Sequence, residues 1–146
     1  MKRLLLTVFL SLIVLSKTNQ NNYEIITQVV SFSEQNVYRQ LIKLGIAYPD
    51  VVLAQAKIET GNFTSKIFRE NNNMFGMKLP ERRQTTAVGE SRNHAKYTDW
   101  IQSIRDYKLW QDQMIHRAPT KRAYLAYLRR NYAEDKNYIK KIKQII

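Results

Sequence analysis

Glu59 ends an almost continuous apolar run, Val51-Val52-Leu53-Ala54-Gln55-Ala56-Lys57-Ile58, and is followed at once by Thr60-Gly61. A carboxyl group held at the end of a buried helix, beside a loop open to ligand, has its pKa raised by desolvation. It then stays a usable proton donor near neutral pH. The segment therefore offers a general acid, against the plainer alternative of a helix-end glutamate in solvent, where most glutamates sit. On a helix, Val52, Gln55 and Glu59 share one face. Gln55 is thus the side chain expected to reach Glu59 from the preceding turn and to line the same site.

Downstream stand Asn71-Asn72-Asn73 and then Met74-Phe75-Gly76-Met77-Lys78. The order of Ala54-Gln55-Ala56, Glu59-Thr60-Gly61, Asn73 and Phe75-Gly76-Met77-Lys78 resembles the glucosaminidase family of peptidoglycan hydrolases. That family comprises the mannosyl-glycoprotein endo-beta-N-acetylglucosaminidase-like domains of autolysins and flagellar muramidase-like proteins. Two later blocks resemble it as well. One is Ala95-Lys96-Tyr97-Thr98-Asp99-Trp100 leading into Ile104-Arg105-Asp106-Tyr107, and the other is Tyr132-Ala133-Glu134-Asp135-Lys136-Asn137-Tyr138. Each block is weak alone; the ordered set, from about Tyr48 onward, is specific.

The resemblance implies an α+β, predominantly helical, lysozyme-like domain with a small β-hairpin flap over the active-site cleft. It also implies a glycoside hydrolase, an endo-β-N-acetylglucosaminidase with Glu59 as general acid. Cleaving a glycosidic bond needs protonation of the leaving oxygen and stabilisation of an oxocarbenium-like centre, usually by two carboxyl groups flanking the sugar. Glu90, beside Gly89 in the expected flap, is the candidate second carboxylate; its spacing is similar to that of an acidic flap residue in some family members. Glu81, Asp99 and Asp106 are weaker candidates: Glu81 adjoins Arg82-Arg83, Asp99 reads as a helix cap, and Asp106 sits in a helix.

A route without a second carboxylate also exists, in which the substrate's own 2-acetamido oxygen attacks the anomeric carbon. Tyr138, matching the second Tyr of the family's C-terminal segment, could donate a hydrogen bond to that group. Phe75 and Gly76 are expected to shape the groove floor, with Phe75 offering a face to a sugar ring. Asn73 is read as either a sugar ligand or a support for loop backbone, Tyr132 as a groove residue close to an ordinary core tyrosine, and Trp100 as core or groove lining. His94 and His116 are too isolated for a metal site and read as surface or packing residues. No cofactor and no metal are expected.

The elements that must position these groups follow from caps and periodicity. Ser33 caps a helix running to Gly45, with Val37, Leu41 and Leu44 on its apolar side. Pro49 suits the first turn of the Glu59 helix. Between Phe75 and Thr98 helical periodicity vanishes, and Gln84-Thr85-Thr86-Ala87-Val88, Gly89 and then Asn93 to Tyr97 read as a short antiparallel hairpin. Asp99 caps a helix carrying Ile101, Ile104, Leu109 and Trp110. Pro119-Thr120 starts another from Lys121 to Arg130. A last amphipathic helix begins near Asp135, with Tyr138, Ile139, Ile142, Ile145 and Ile146 on one side.

The chain has 146 residues, 44% of them apolar and 11% aromatic, and no cysteine. This is room for one core, held by packing rather than by disulfides or thiolate metal sites. Residues 1–20 read as a signal peptide: Lys2-Arg3, an apolar stretch from Leu4 to Leu15 broken by Thr7 and Ser11, then polar residues. The stretch is short for a membrane span, and no small-x-small triplet marks cleavage, so an uncleaved anchor is the alternative. Residues 21–146 form the expected catalytic domain.

The expectation is therefore an exported protein of the periplasm, cell wall or extracellular space, acting as a monomer on peptidoglycan glycan strands. A formal net charge of +12 favours polyanions; for an exported chain an anionic wall or membrane surface is nearer than nucleic acid, which is not an expected partner. Competing readings are an N-acetylmuramidase or lytic transglycosylase of the same fold, a non-catalytic cell-wall-binding domain, and a cationic membrane-active protein. Against a transglycosylase, Asn73-Met74-Phe75-Gly76-Met77-Lys78 differs from the Gly-Leu-Met-Gln pattern of those enzymes.

Overall fold

Short polar side chains start most of the helices. Ser33 accepts a hydrogen bond from the Asn36 amide at 3.1 Å and opens α1, Glu34–Lys43. Gly45, at φ +66°, takes the left-handed turn that ends it. Pro49 is the first residue of α2, Pro49–Glu59, where its missing N–H costs nothing. Ser65 caps α3, Lys66–Asn71. Asp99 caps α4, Trp100–Met114, by accepting from the amides of Ile101 and Gln102. After a 3-10 turn at Ile115–Arg117, Thr120 caps α5, Lys121–Asn131. The last helix, α6, is Tyr138–Ile145.

This computed structural model describes residues 30–132 and 135–146, and Phe32–Ile146 cluster as one unit. The expected signal peptide at residues 1–20 lies outside the described residues. Among the described residues no helix is long and apolar enough to cross a membrane. Helix α2 is buried along Val51, Val52, Ala54, Gln55 and Ala56, with α1 packed on one side and α6 on another. Helix α4 turns a different face to the core than its Ile101, Leu109 and Trp110 suggested: Trp100, Ser103, Ile104, Asp106, Tyr107, Gln111 and Met114 are its buried residues. Trp100 belongs to the core, edge-on to Phe32 at 5.8 Å.

The only sheet among the described residues is an antiparallel hairpin, β1 Gly89–Ser91 and β2 His94–Lys96, paired Gly89↔Lys96, Glu90↔Ala95 and Ser91↔His94. The expected first strand at Gln84–Val88 is displaced. Those residues form no strand, and the turn falls at Arg92-Asn93, both at positive φ (56° and 58°) as tight two-residue hairpins require. Thr86 is held elsewhere, with its hydroxyl donating to Gln102 O at 2.6 Å.

Three consecutive asparagines tie the hairpin to the helical body. The Asn71 amide donates to Ser91 O and His94 O, the Asn72 amide to Tyr97 O and Thr98 O, and the Asn73 amide to Met77 O and Ala95 O. A second tie comes from the buried Asp106, which takes a two-pronged ion pair from Arg83 at 2.7 and 2.8 Å and a hydrogen bond from Tyr97 Oη at 2.8 Å. Burial alone would push Asp106 up; the donors from Arg83, Thr85 and Tyr97 outweigh it and hold the carboxyl below its usual range.

Candidate active site

Helix α2 stops at Thr60 because the chain reverses there: Gly61, Asn62 and Phe63 are all left-handed, at φ 54°, 59° and 65°. Thr60 is the pivot, with its hydroxyl donating to Ala56 O at 2.6 Å and accepting the Phe63 amide at 2.8 Å. Glu59 is thereby left half-buried at the helix end. It faces a groove of about 640 Å³ lined by Ile58, Glu59, Phe75, Gly76, Met77, His94, Tyr132, Asp135 and Tyr138.

The two carboxylate oxygens of Glu59 are not equivalent. Oε1 accepts a 2.8 Å hydrogen bond from Tyr138 Oη. Oε2 looks toward Gly76, where a Cβ would stand 3.4 Å away. Burial pushes the Glu59 carboxyl up, and the Tyr138 hydrogen bond pulls only partly against it. With Oε1 occupied as an acceptor, a proton on Glu59 belongs on Oε2, the oxygen beside Gly76.

Tyr138 does not present its hydroxyl to solvent for a sugar to use. Its proton goes to Glu59, and it accepts from Gln55 Nε2 at 3.3 Å. Gln55 accordingly reaches Glu59 through Tyr138 rather than directly. It is fully buried and so cannot be a substrate ligand; its other end accepts from Tyr107 Oη at 2.7 Å.

The expected sugar contacts of Phe75 and Asn73 are also corrected. Phe75 lines the groove as expected, but the residue is 2% exposed and its ring packs on Tyr107 at 4.3 Å, so it offers no face to a sugar. Every polar atom of the Asn73 amide is spent on backbone: besides its two donations, Oδ1 accepts from the amides of Phe75 and Met77. Gly76 and Tyr132 do border the groove. Tyr132 donates to Phe75 O at 2.6 Å and stacks on Tyr138 with ring centres 6.1 Å apart.

Glu90 is exposed in the middle of β1 and is not among the residues lining the groove. His94, read from sequence as a surface or packing residue, does line it. Its Nδ1 faces Arg92 O at 2.7 Å and must donate there, which leaves Nε2 an acceptor in the neutral ring. Among the described residues Asp135 is the second carboxylate of the lining. The salt bridge from Lys141 and the Asn137 amide hold it below its usual range, committed to the corner before α6. Neither was legible as a groove residue, because the hairpin register and the α5–α6 corner place them. Among the described residues no cluster of three or more metal-ligating side chains occurs.

The model of the family described as glucosaminidase, mannosyl-glycoprotein endo-beta-N-acetylglucosaminidase, matches residues 34–146. Over 67 residues the chain is 34% identical to Protein bax of Escherichia coli (strain K12), a stretch covering 46% of this chain and 24% of that relative. The match therefore spans about a quarter of the relative's length.

Among solved structures, the catalytic domain of the autolysin Auto from Listeria monocytogenes is similar at TM-score 0.57 and 20% identity, covering 88% of this chain and 92% of that one. A chain of a type VI secretion system effector–immunity complex from Pseudomonas protegens is similar at TM-score 0.52 and 18% identity, covering 74% and 84%. These likenesses establish the fold, lysozyme-like and α+β with a small hairpin. With the matched region running from the first helix through the groove to the final residue, the chain belongs to the glucosaminidase family.

Proposed function

We propose that this protein is an exported peptidoglycan hydrolase, an endo-β-N-acetylglucosaminidase that cleaves a β-1,4 bond of the glycan strand with Glu59 as general acid. The observation that carries the reading is the asymmetric Glu59 carboxyl, with Oε1 fixed by Tyr138 and Oε2 beside Gly76, in a groove that Glu59 and Gly76 both line. Family membership supports the substrate class, and the apolar segment from Leu4 to Leu15 supports export.

Glu59 delivers its proton from Oε2 to the glycosidic oxygen as that bond breaks. The burial that raises its pKa keeps it protonated at pH values where a solvated glutamate is ionised. Activity then falls as pH rises through that raised value. Among the described residues Asp135 is the other carboxylate lining the groove, and it is committed to Lys141, which favours stabilisation of the cationic sugar centre by the substrate's own 2-acetamido oxygen. The second reading gives that task to Glu90, carried over the glycan by movement of the hairpin.

The test incubates the protein with purified peptidoglycan beside Glu59→Gln and Glu90→Gln, reduces the products and identifies new ends by mass spectrometry. Reduced N-acetylglucosamine ends, absent with Glu59→Gln, are expected. Reduced muramic ends would reassign the bond and anhydro ends the reaction; full activity in Glu59→Gln would remove Glu59 from the mechanism. Glu90→Gln separates the two routes, staying active under acetamido assistance and failing if the hairpin carboxylate acts.

A further inference from the structure

Behind Tyr138 the polar contacts do not stop. Gln55, Tyr107 and Tyr124 are wholly buried, Gln111 is 1% exposed, and Tyr138 is 3% exposed, yet all carry polar groups through the middle of the core. Gln111 is anchored at the far side by the Ala47 peptide: its Oε1 accepts the Ala47 amide at 2.8 Å and its Nε2 donates to Ala47 O at 3.0 Å. The same Nε2 donates to Tyr124 Oη at 3.1 Å. Tyr107 and Tyr124 hydroxyls meet at 2.5 Å, and Tyr107 also meets Gln55 Oε1 at 2.7 Å.

Proton accounting gives this row a direction. The amide oxygen of Gln55 can only accept, so the one hydroxyl proton of Tyr107 goes there. Tyr124 must then supply the proton of the Tyr107–Tyr124 contact, and it accepts from Gln111. Gln55 Nε2 donates to Tyr138, and the Tyr138 proton goes to Glu59 Oε1. From Gln111 in α4, through Tyr124 in α5, Tyr107 in α4, Gln55 in α2 and Tyr138 in α6, every donor points toward Glu59.

We propose that Tyr107, Tyr124 and Gln111 are positioning residues for Glu59, holding a one-way chain of buried donors that ends on its carboxylate and favours its charged form. Aligned hydrogen bonds polarise one another, strengthening each by about 10–30%, so the Tyr138 donor is stronger than an isolated tyrosine would be. The chain is not a proton relay, since the Gln55 amide interrupts it. Burial pushes the Tyr124 hydroxyl up to about 12 and Tyr107 well above its ordinary value, so both remain neutral donors throughout any working pH.

The consequence is a counterweight to burial. Desolvation alone would make Glu59 a weak acid that yields its proton reluctantly; the chain makes the anion left after proton transfer less costly. Its effect on turnover rests on Glu59 being the acid, whereas its effect on the titration of Glu59 does not. Among the described residues that line the groove with Glu59, the other titratable groups are Tyr138 and Tyr132 on the helical side and His94 and Asp135 along the groove. Substitutions at Tyr107 and Tyr124 leave all four in place.

The experiment follows the Glu59 carboxyl carbon by NMR in the full-length, 13C-glutamate-labelled chain, with Glu59→Gln to assign the signal. Tyr124→Phe breaks the chain while Gln111 keeps its Ala47 partners and Tyr107 keeps Gln55, so it is the variant expected to fold best. Tyr124→Phe should raise the Glu59 pKa by about 0.3 unit, and Tyr107→Phe by more. The alkaline limb of the activity profile should move up with it. An unchanged Glu59 titration in folded Tyr124→Phe overturns the proposal and leaves the row as core packing. Failure of the acid reading would show separately, as activity persisting in Glu59→Gln.

Discussion

Gly76 and Glu59 line the same groove, and a methyl group on Gly76 would lie in contact with Glu59 Oε2, at 3.4 Å. The glycine is needed twice over. Its φ of +64° is left-handed, and its missing side chain leaves the space beside the Glu59 carboxyl open.

Gly76→Ala should therefore lower stability by about 1–2 kcal/mol, the cost of a side chain in the left-handed region. If Glu59 is the acid as proposed, peptidoglycan cleavage should fall at least about tenfold beyond what the stability loss explains, because the methyl occupies the space beside Oε2 that the glycosidic oxygen would enter. Thermal melts and turnover measured on the same preparation check both halves. Unaltered turnover in the destabilised variant would refute the steric role.

The ion pair of Arg83 with the buried Asp106 predicts a pH dependence of stability. Asp106 is held below its usual range in the folded chain, so the unfolded chain binds the proton more readily. The stabilisation is complete above the ordinary carboxylate value, about 4, and is lost as pH falls through the folded value. Asp106→Asn should cost about 3 kcal/mol at pH 7, because it strands the Arg83 guanidinium. Denaturant titrations of both proteins should show the gap narrowing toward pH 2.

Asn73→Asp keeps the two acceptor contacts to Phe75 and Met77 but replaces the donors to Met77 O and Ala95 O with a carboxylate facing two carbonyls. A loss of about 2 kcal/mol or more is expected, with faster exchange of the Ala95 amide, which donates to Met77 O. If Asn73 were a sugar ligand instead, glycan affinity would fall with stability and exchange unmoved.

Local chemistry was legible where it is short in range. Ser33, Asp99 and Thr120 mark helix starts that the structure keeps, because a cap depends on amides two or three residues away, and Pro49 marks another because its fixed φ suits a first turn. The hairpin was legible as a hairpin but not in register: Gln84–Val88 has strand-like composition, while the Arg92-Asn93 turn and the three asparagine amides set the pairing one segment later. Glu90 consequently ends exposed, and His94 enters the groove. Asp106 looked like one more helix residue because its partner Arg83 comes from 23 positions earlier.

By itself the sequence determined the α+β helical domain and the family, and it offered Glu59 as the candidate acid. These rest on an apolar helix ending in Glu59 and on motif blocks whose order survives without coordinates. The tertiary structure alone decided what surrounds that acid. Gln55, Asn73 and Phe75 carry the residue types of a binding site, yet each is buried by partners far along the chain, and Tyr138 reaches Glu59 across 79 positions. Side-chain type limits what a residue can do; burial and the direction of its hydrogen bonds, both products of packing between distant segments, fix what it does.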